Sequence, residues 1–295
     1  MDGKNRVLRP YAAEDLEQVL ALFFDAVQKA CAKEYTKAQR DAWADGNPDK
    51  EAWQESLLAQ DAWVVEEEGQ ILAFGDRAEG YIDRLYVSPK AQGQGLGKAL
   101  LQRLEERAQA QVLTVHASLT AEPFFASQDY HRCYLEEVER KGVLLPRYRM
   151  KKGQGQCRLA KEEDKEPLCA LWLSGNRKAH DFVPADVWKE ALPALWPQMQ
   201  QAEVLVWEEN QKIVGFCGLV GEEVAGLFVE ETHQREGIGA KLLAEAKQRR
   251  DRLTLHVFAQ NTRAKAFYER EGFLAAEEQD GLFGQKEWNM VWRRS

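Results

Sequence analysis

An α+β fold, one mixed sheet with flanking helices built twice over, is what this sequence predicts. Three observations carry the prediction. The chain has 295 residues, about twice the usual domain length. Its residues are 44% hydrophobic and 30% charged, enough apolar surface to seal cores and unlike a disordered or low-complexity chain. It also resembles itself at a shift near half its length.

The internal match is direct. Trp63-Val64-Val65-Glu66 followed by Ile71-Leu72-Ala73-Phe74 resembles Leu205-Val206-Trp207-Glu208 followed by Ile213-Val214-Gly215-Phe216. Leu113-Thr114-Val115-His116 matches Leu253-Thr254-Leu255-His256, and Leu8-Arg9 with Asp15 matches Cys157-Arg158 with Asp164. Two copies of one domain, 1–150 and 156–295, account for this, with a polar, glycine-bearing linker over 151–156.

Each copy opens with a short strand around Leu8 or Arg158. An amphipathic helix follows, with Leu16, Val19, Leu20, Phe23 and Val27 at helical spacing, and with Leu168, Leu171 and Trp172 in the second copy. A helical region bears Trp43 and Trp53, or Trp188 and Trp196; such rings pack a core or line a pocket. Two β-rich runs make a hairpin that turns at Glu68-Gly69 and at Asn210-Gln211. A third β run enters a glycine loop, and the helix that leaves it carries Leu100, Leu101 and Leu104, or Leu242, Leu243 and Ala246, on its apolar face. A strand, a short helix and a last strand finish the unit. A hairpin ahead of the β–loop–α step makes the sheet mixed rather than alternating parallel.

Charge and motifs exclude several functions. The net charge of −8 argues against a non-specific nucleic-acid binder. No apolar run approaches ~20 residues and the N-terminus has no apolar signal segment, so neither a membrane span nor secretion is expected. The five cysteines, an odd number without paired spacing, read as reduced thiols of a cytoplasmic protein. His131-x-Cys133 is too thin for zinc, so no metal is expected. No nucleophile elbow or Cys/His pairing suggests a covalent intermediate.

The chemistry lies in the glycine loops, Gln92-Gly93-Gln94-Gly95-Leu96-Gly97 and Gln234-Arg235-Glu236-Gly237-Ile238-Gly239. A glycine bend at a helix start presents unpaired N–H groups and a partial positive charge, which suits a phosphate or pyrophosphate. The loop comes too late in the unit for a dinucleotide fingerprint, and no P-loop occurs.

With the preceding Leu85-Tyr86-Val87 and Leu227-Phe228-Val229, these loops resemble motif A of the GNAT superfamily of N-acetyltransferases. Asn261-Thr262-Arg263-Ala264-Lys265-Ala266-Phe267-Tyr268-Glu269-Arg270-Glu271-Gly272-Phe273 resembles its motif B. The resemblance covers both halves. It implies two tandem GNAT domains, each a mixed, mostly antiparallel sheet whose fourth and fifth strands splay apart around acetyl-CoA. The loops would hold the pyrophosphate, and the strand backbone at Leu85–Val87 and Leu227–Val229 would hold the pantetheine amides. It implies an acyltransferase moving acetyl to a primary amine of a small molecule or peptide by direct attack, as a monomer or homodimer.

Within that resemblance Tyr268 is the proton donor to the leaving thiolate and Asn261 contacts the cofactor, or only caps its helix. In the first copy Phe125 stands where Tyr268 stands and Asp129 replaces Gly272. The alternatives are therefore that only 156–295 is catalytic, with 1–150 a regulatory or scaffolding module, or that the protein is a non-catalytic acetyl-CoA sensor. Tyr130 and Tyr134 are weak substitutes for the missing acid. An alkylamine must lose a proton before attack, so a base is required. Asp83 is the candidate in the first copy, on the strand face of Tyr81, Leu85 and Val87. Glu223 is the candidate in the second, because Ala225 matches Asp83. His180 is a substrate-binding or relay candidate, or a helix cap. His116 and His256 read as structural.

Overall fold

The computed structural model describes residues 6–108 and 110–294. The chain divides into two compact units, Met1–Gln154 and Gly155–Ser295. Each has its own seven-stranded mixed sheet flanked by helices.

In the first unit β1 (Arg6–Pro10) leads through a 3-10 turn into α1 (Leu16–Asp25), a wide turn over Ala26–Ala30, α2 (Lys37–Trp43) and α3 (Lys50–Ala59). Then come β2 (Asp61–Glu67), β3 (Gln70–Ala78), β4 (Tyr81–Val87), α4 (Leu96–Glu106), β5 (Leu113–Ser118), α5 (Glu122–Ala126), β6 (His131–Arg140) and β7 (Val143–Lys152). The strands lie in the order β1-β2-β3-β4-β5-β7-β6, antiparallel except for β4 against β5. One face packs α4 through Leu100, Leu101 and Leu104 onto Ile82, Val115 and Met150. The other packs Val19, Phe23 and Leu57 onto Val64 and Phe74. Sealing each such side chain is worth ~1.5–3 kcal/mol.

The second unit repeats this with β8 (Gln156–Leu159), α6 (Lys165–Ala179), α7 (Ala185–Met199), β9 (Glu203–Glu209), β10 (Lys212–Val220), β11 (Glu223–Val229), α8 (Ile238–Arg249), β12 (Arg252–Phe258), α9 (Thr262–Arg270), β13 (Leu274–Asp280) and β14 (Lys286–Arg293). Its order is β8-β9-β10-β11-β12-β14-β13, with β11 parallel to β12. One helix, α7, replaces the pair α2 and α3.

The repeat seen near the two starts is a clasp. Arg9 donates to both Asp15 oxygens at 2.6 and 2.8 Å, and Asp15 accepts the Ala12 N–H. Arg158, Asp164 and Lys161 do the same. The hairpin turns fall where expected, with positive φ at Glu68, Gly69, Asn210 and Gln211.

Three expectations need correction. Each unit ends in two strands after its short helix, not one. The linker is shorter than expected: β7 runs through Lys152 and β8 starts at Gln156, so only 153–155 join them. Asp83 does not share the face of Leu85, nor does Tyr81. Ile82 pairs with Arg77 and Arg84 with Asp76, so Asp83 is the extra residue of a β-bulge that breaks the alternation. Tyr81 faces His116, while Leu85 and Val87 face α4.

Candidate active site

Strands β4 and β5 are hydrogen-bonded only at Tyr81↔Thr114 and Ile82↔Val115, then diverge. The edge of β4 from Leu85 to Val87 is thereby left open toward the gap. In the second unit the parallel contact is shorter still, Glu223↔Thr254 alone. A cavity of about 490 Å³ fills the first gap, lined by Leu85, Val87, Gly95, His116, Ala117 and Phe125 among others.

The glycine loops close one end of each gap. Gly95 and Gly237 take φ of +78° and +79° as N-caps of α4 and α8, and neither helix has a side-chain cap. Neither N-cap residue offers a side chain to the first N–H groups of its helix. A Cβ on Gly95 or Gly237 would meet nothing within 4 Å, so both bends face open space. An anion with backbone-spaced oxygens fits this arrangement. Gly97 and Gly239 serve packing instead: a Cβ there would lie 3.5 Å from Phe124 and 3.4 Å from Phe267.

That shared contact fixes Phe124 and Phe267 as equivalents, and hence Phe125 and Tyr268. The Tyr268 ring packs between Phe267 and Phe273, with centroids at 5.2 and 5.7 Å. Burial pushes its hydroxyl well above the ordinary phenol range, so it holds its proton at neutral pH. Phe125 is sealed in the first core. Tyr130 is sealed there too, 3% exposed. Tyr86 is the one tyrosine among the described residues lining the first cavity.

The two histidines expected to be structural sit at the crotch of each gap. His116 Nδ1 is 2.9 Å from the Tyr81 hydroxyl, and its Nε2 lies 3.4 Å from Glu136 Oε1. Burial and Arg147 push its pKa down to about 4, so the ring is neutral at pH 7. His256 Nδ1 donates to Glu223 Oε1 at 3.4 Å. Because a carboxylate only accepts, Nδ1 carries the proton in this contact, and Nε2 is the ring nitrogen turned away from Glu223. Tyr81 and Glu223 begin matching strands, and each histidine stands two residues beyond the matching threonine partner. The recurrence of both histidines at one repeat register was the sequence signal for this.

His180 follows α6 as its C-cap, among Phe182, Trp188 and Phe258. Asn176 gives its Nδ2–H to Trp172 O, so its Oδ1 accepts from His180 Nδ1 at 3.1 Å. Asn261 caps α9 by accepting the Ala264 N–H, so its Nδ2 donates to His180 Nε2 at 3.4 Å. Both ring nitrogens are thus engaged, and the residue links α6 to α9. Burial lowers its pKa. Gln234 donates to Val229 O and accepts from Arg263, tying its loop to β11 and α9.

Comparison with known proteins bears directly on these splayed strands. Two family models described as "Acetyltransferase (GNAT) domain" match residues 31–152 and 200–274. An N-acetyltransferase of Escherichia coli, YafP, itself uncharacterized, is 33% identical over 147 residues, covering 95% of that protein and 50% of this chain. The chain belongs to the GNAT acetyltransferase family. This GNAT protein is an acyltransferase enzyme with two copies of the fold in tandem. It is also 32% identical to the E. coli peptidyl-lysine N-acetyltransferase YiaC, over 81% of that protein and 39% of this chain. A crystal structure of a GCN5-related N-acetyltransferase from Rhodopseudomonas palustris matches at 30% identity and a TM-score of 0.50, covering 98% of that chain and 52% of this one. No helix among the described residues of the GNAT protein is long and apolar enough to cross a membrane.

Proposed function

We propose that this GNAT protein transfers acetyl from acetyl-CoA to a primary amine by direct attack, with 156–295 the catalytic unit. The observation that supports it most is the doubled arrangement of an open strand edge leading into an uncapped glycine bend. When bound, acetyl-CoA supplies the thioester and with it the acetyl group and leaving thiolate. Gly93–Gly97 and Arg235–Gly239 offer backbone N–H groups to a pyrophosphate. Leu85–Val87 and Leu227–Val229 offer the strand edge to amides. Tyr268 holds the proton for the leaving sulfur. Glu223 orients His256 so that its Nε2 takes the proton from the incoming ammonium. His180 positions α9, and with it Tyr268, through Asn261.

In 1–150 the acid position is Phe125, which favours a second reading in which this unit binds cofactor and acceptor but turns over slowly or not at all. The relatives named peptidyl-lysine N-acetyltransferases support a lysine-type amine as acceptor. A thiol-release assay over an amine panel, run on wild type and Tyr268→Phe, tests the proposal. Loss of nearly all release in the variant supports one catalytic unit; unchanged release in the variant overturns it.

A further inference from the structure

Beside the cofactor gap of the first unit lies a broader cavity of about 980 Å³. The two cavities share Trp43, Asp83 and Tyr86, which mark the passage from the donor side to the acceptor side. Phe23, Phe24 and Trp53 give the second cavity apolar walls.

Most of its charges are already committed. Lys50 pairs with Glu17 at 2.6 Å and Lys141 pairs with Asp45. Asp49 accepts the Ala52 N–H at the start of α3. Arg140 adds a cation to the lining. Asp83 and Arg84 are adjacent at the bulge, with Arg84 Nη2 3.7 Å from Asp83 Oδ2, and Arg84 is also paired with the buried Asp76.

Arg84 is held from three sides. Its Nε lies 2.9 and 3.0 Å from the Asp76 oxygens, its Nη2 donates to Ser56 Oγ at 2.7 Å, and its plane sits 4.8 Å from the Trp53 centroid. Its Nη1 has no hydrogen-bond partner among the described residues. A guanidinium fixed by a buried carboxylate, with one N–H pair to spare, is suited to grip a carboxylate. An α-amino acid carries an ammonium and a carboxylate on one carbon, the charges opposite to those of Asp83 and Arg84, which stand side by side at the bulge.

We propose that the acceptor cavity of the first unit binds a free α-amino acid, its amino group on Asp83 at the passage, its carboxylate on Arg84 Nη1, and its side chain against Phe23, Phe24 and Trp53. This rests on the GNAT reading of the adjoining gap. The second unit cannot do the same, because Gly218 and Gly226 occupy the register of Asp76 and Arg84.

The test is calorimetric titration of the full chain, with and without coenzyme A, by each of the twenty L-amino acids and by each α-carboxamide. At least one amino acid should bind, and at least tenfold more tightly than its carboxamide. The double variant Asp76→Gly/Arg84→Gly copies the second unit's register and should erase that preference; Arg84→Lys should reduce it. Coenzyme A titration of each variant reports whether the first unit is folded. No amino-acid binding, equal binding of acid and carboxamide, or a preference that survives in the double variant overturns the proposal. Failure of coenzyme A to bind, with amino-acid preference intact, overturns the acetyltransferase reading of the gap instead.

Discussion

Arg84 on β4 stands directly across from Asp76 on β3, and the ion pair they form has a fully buried carboxylate. Burying a charge is costly unless it is paired, so the two residues depend on each other. Asp76→Ala should destabilise the first unit by about 3–5 kcal/mol by leaving the guanidinium uncompensated. Asp76→Gly/Arg84→Gly should recover at least half of that loss. Denaturant titration of the three proteins checks the non-additivity.

The same pair sets a pH dependence. Burial raises the Asp76 carboxyl from the usual carboxylate range to about 6 despite Arg84. The folded state therefore holds this proton more tightly than the unfolded chain. The resulting stabilisation is complete below the ordinary carboxylate pKa and is lost as pH rises through about 6. Between pH 4.5 and 7.5 the Tm of wild type should fall relative to that of the double glycine variant. Parallel Tm–pH curves would remove Asp76 as the cause.

Both glycine bends face open space, so alanine there is expected to act on the ligand more than on the fold. Gly95→Ala and Gly237→Ala each force an L-residue into a left-handed conformation at a cost of ~1 kcal/mol. Wild type should take up two coenzyme A molecules per chain, and each variant one. Stoichiometry by calorimetry decides this.

Tyr268 and the Glu223–His256 pair divide the proton traffic. Tyr268→Phe should lower kcat by ~10²-fold or more with little change in KM for the donor. His256→Gln should lower kcat/KM for the amine by a similar ~10²-fold. Glu223→Gln, which still accepts the Nδ1 proton, should cost less. Equal losses for the last two would place the base on Glu223 itself.

The sequence disclosed the doubled sheet because its strands alternate and its helices carry leucine stripes at one register in both copies. It hid one strand of the closing hairpin in the second unit for a physical reason. β13 is exposed along its whole length, so Leu274–Asp280 has no buried face to produce alternation. The bulge at Asp83 was hidden as well, since one extra residue changes which side chains share a face without changing composition. The glycine bends were legible because only a few residue types tolerate their φ. The Glu223–His256 pair was half legible: Glu223 stood out as a base while His256 read as structural, and their meeting depends on the single parallel pair Glu223↔Thr254, which no local pattern encodes.

Neither seven-stranded sheet borrows a strand from the other half, and residues 153–155 alone separate the last strand of one from the first strand of the next. Scission within that tripeptide would break no ladder. Two polypeptides expressed from separate messages could then be assayed in separate tubes, and the Phe125 and Tyr268 halves weighed without subtracting one signal from the other.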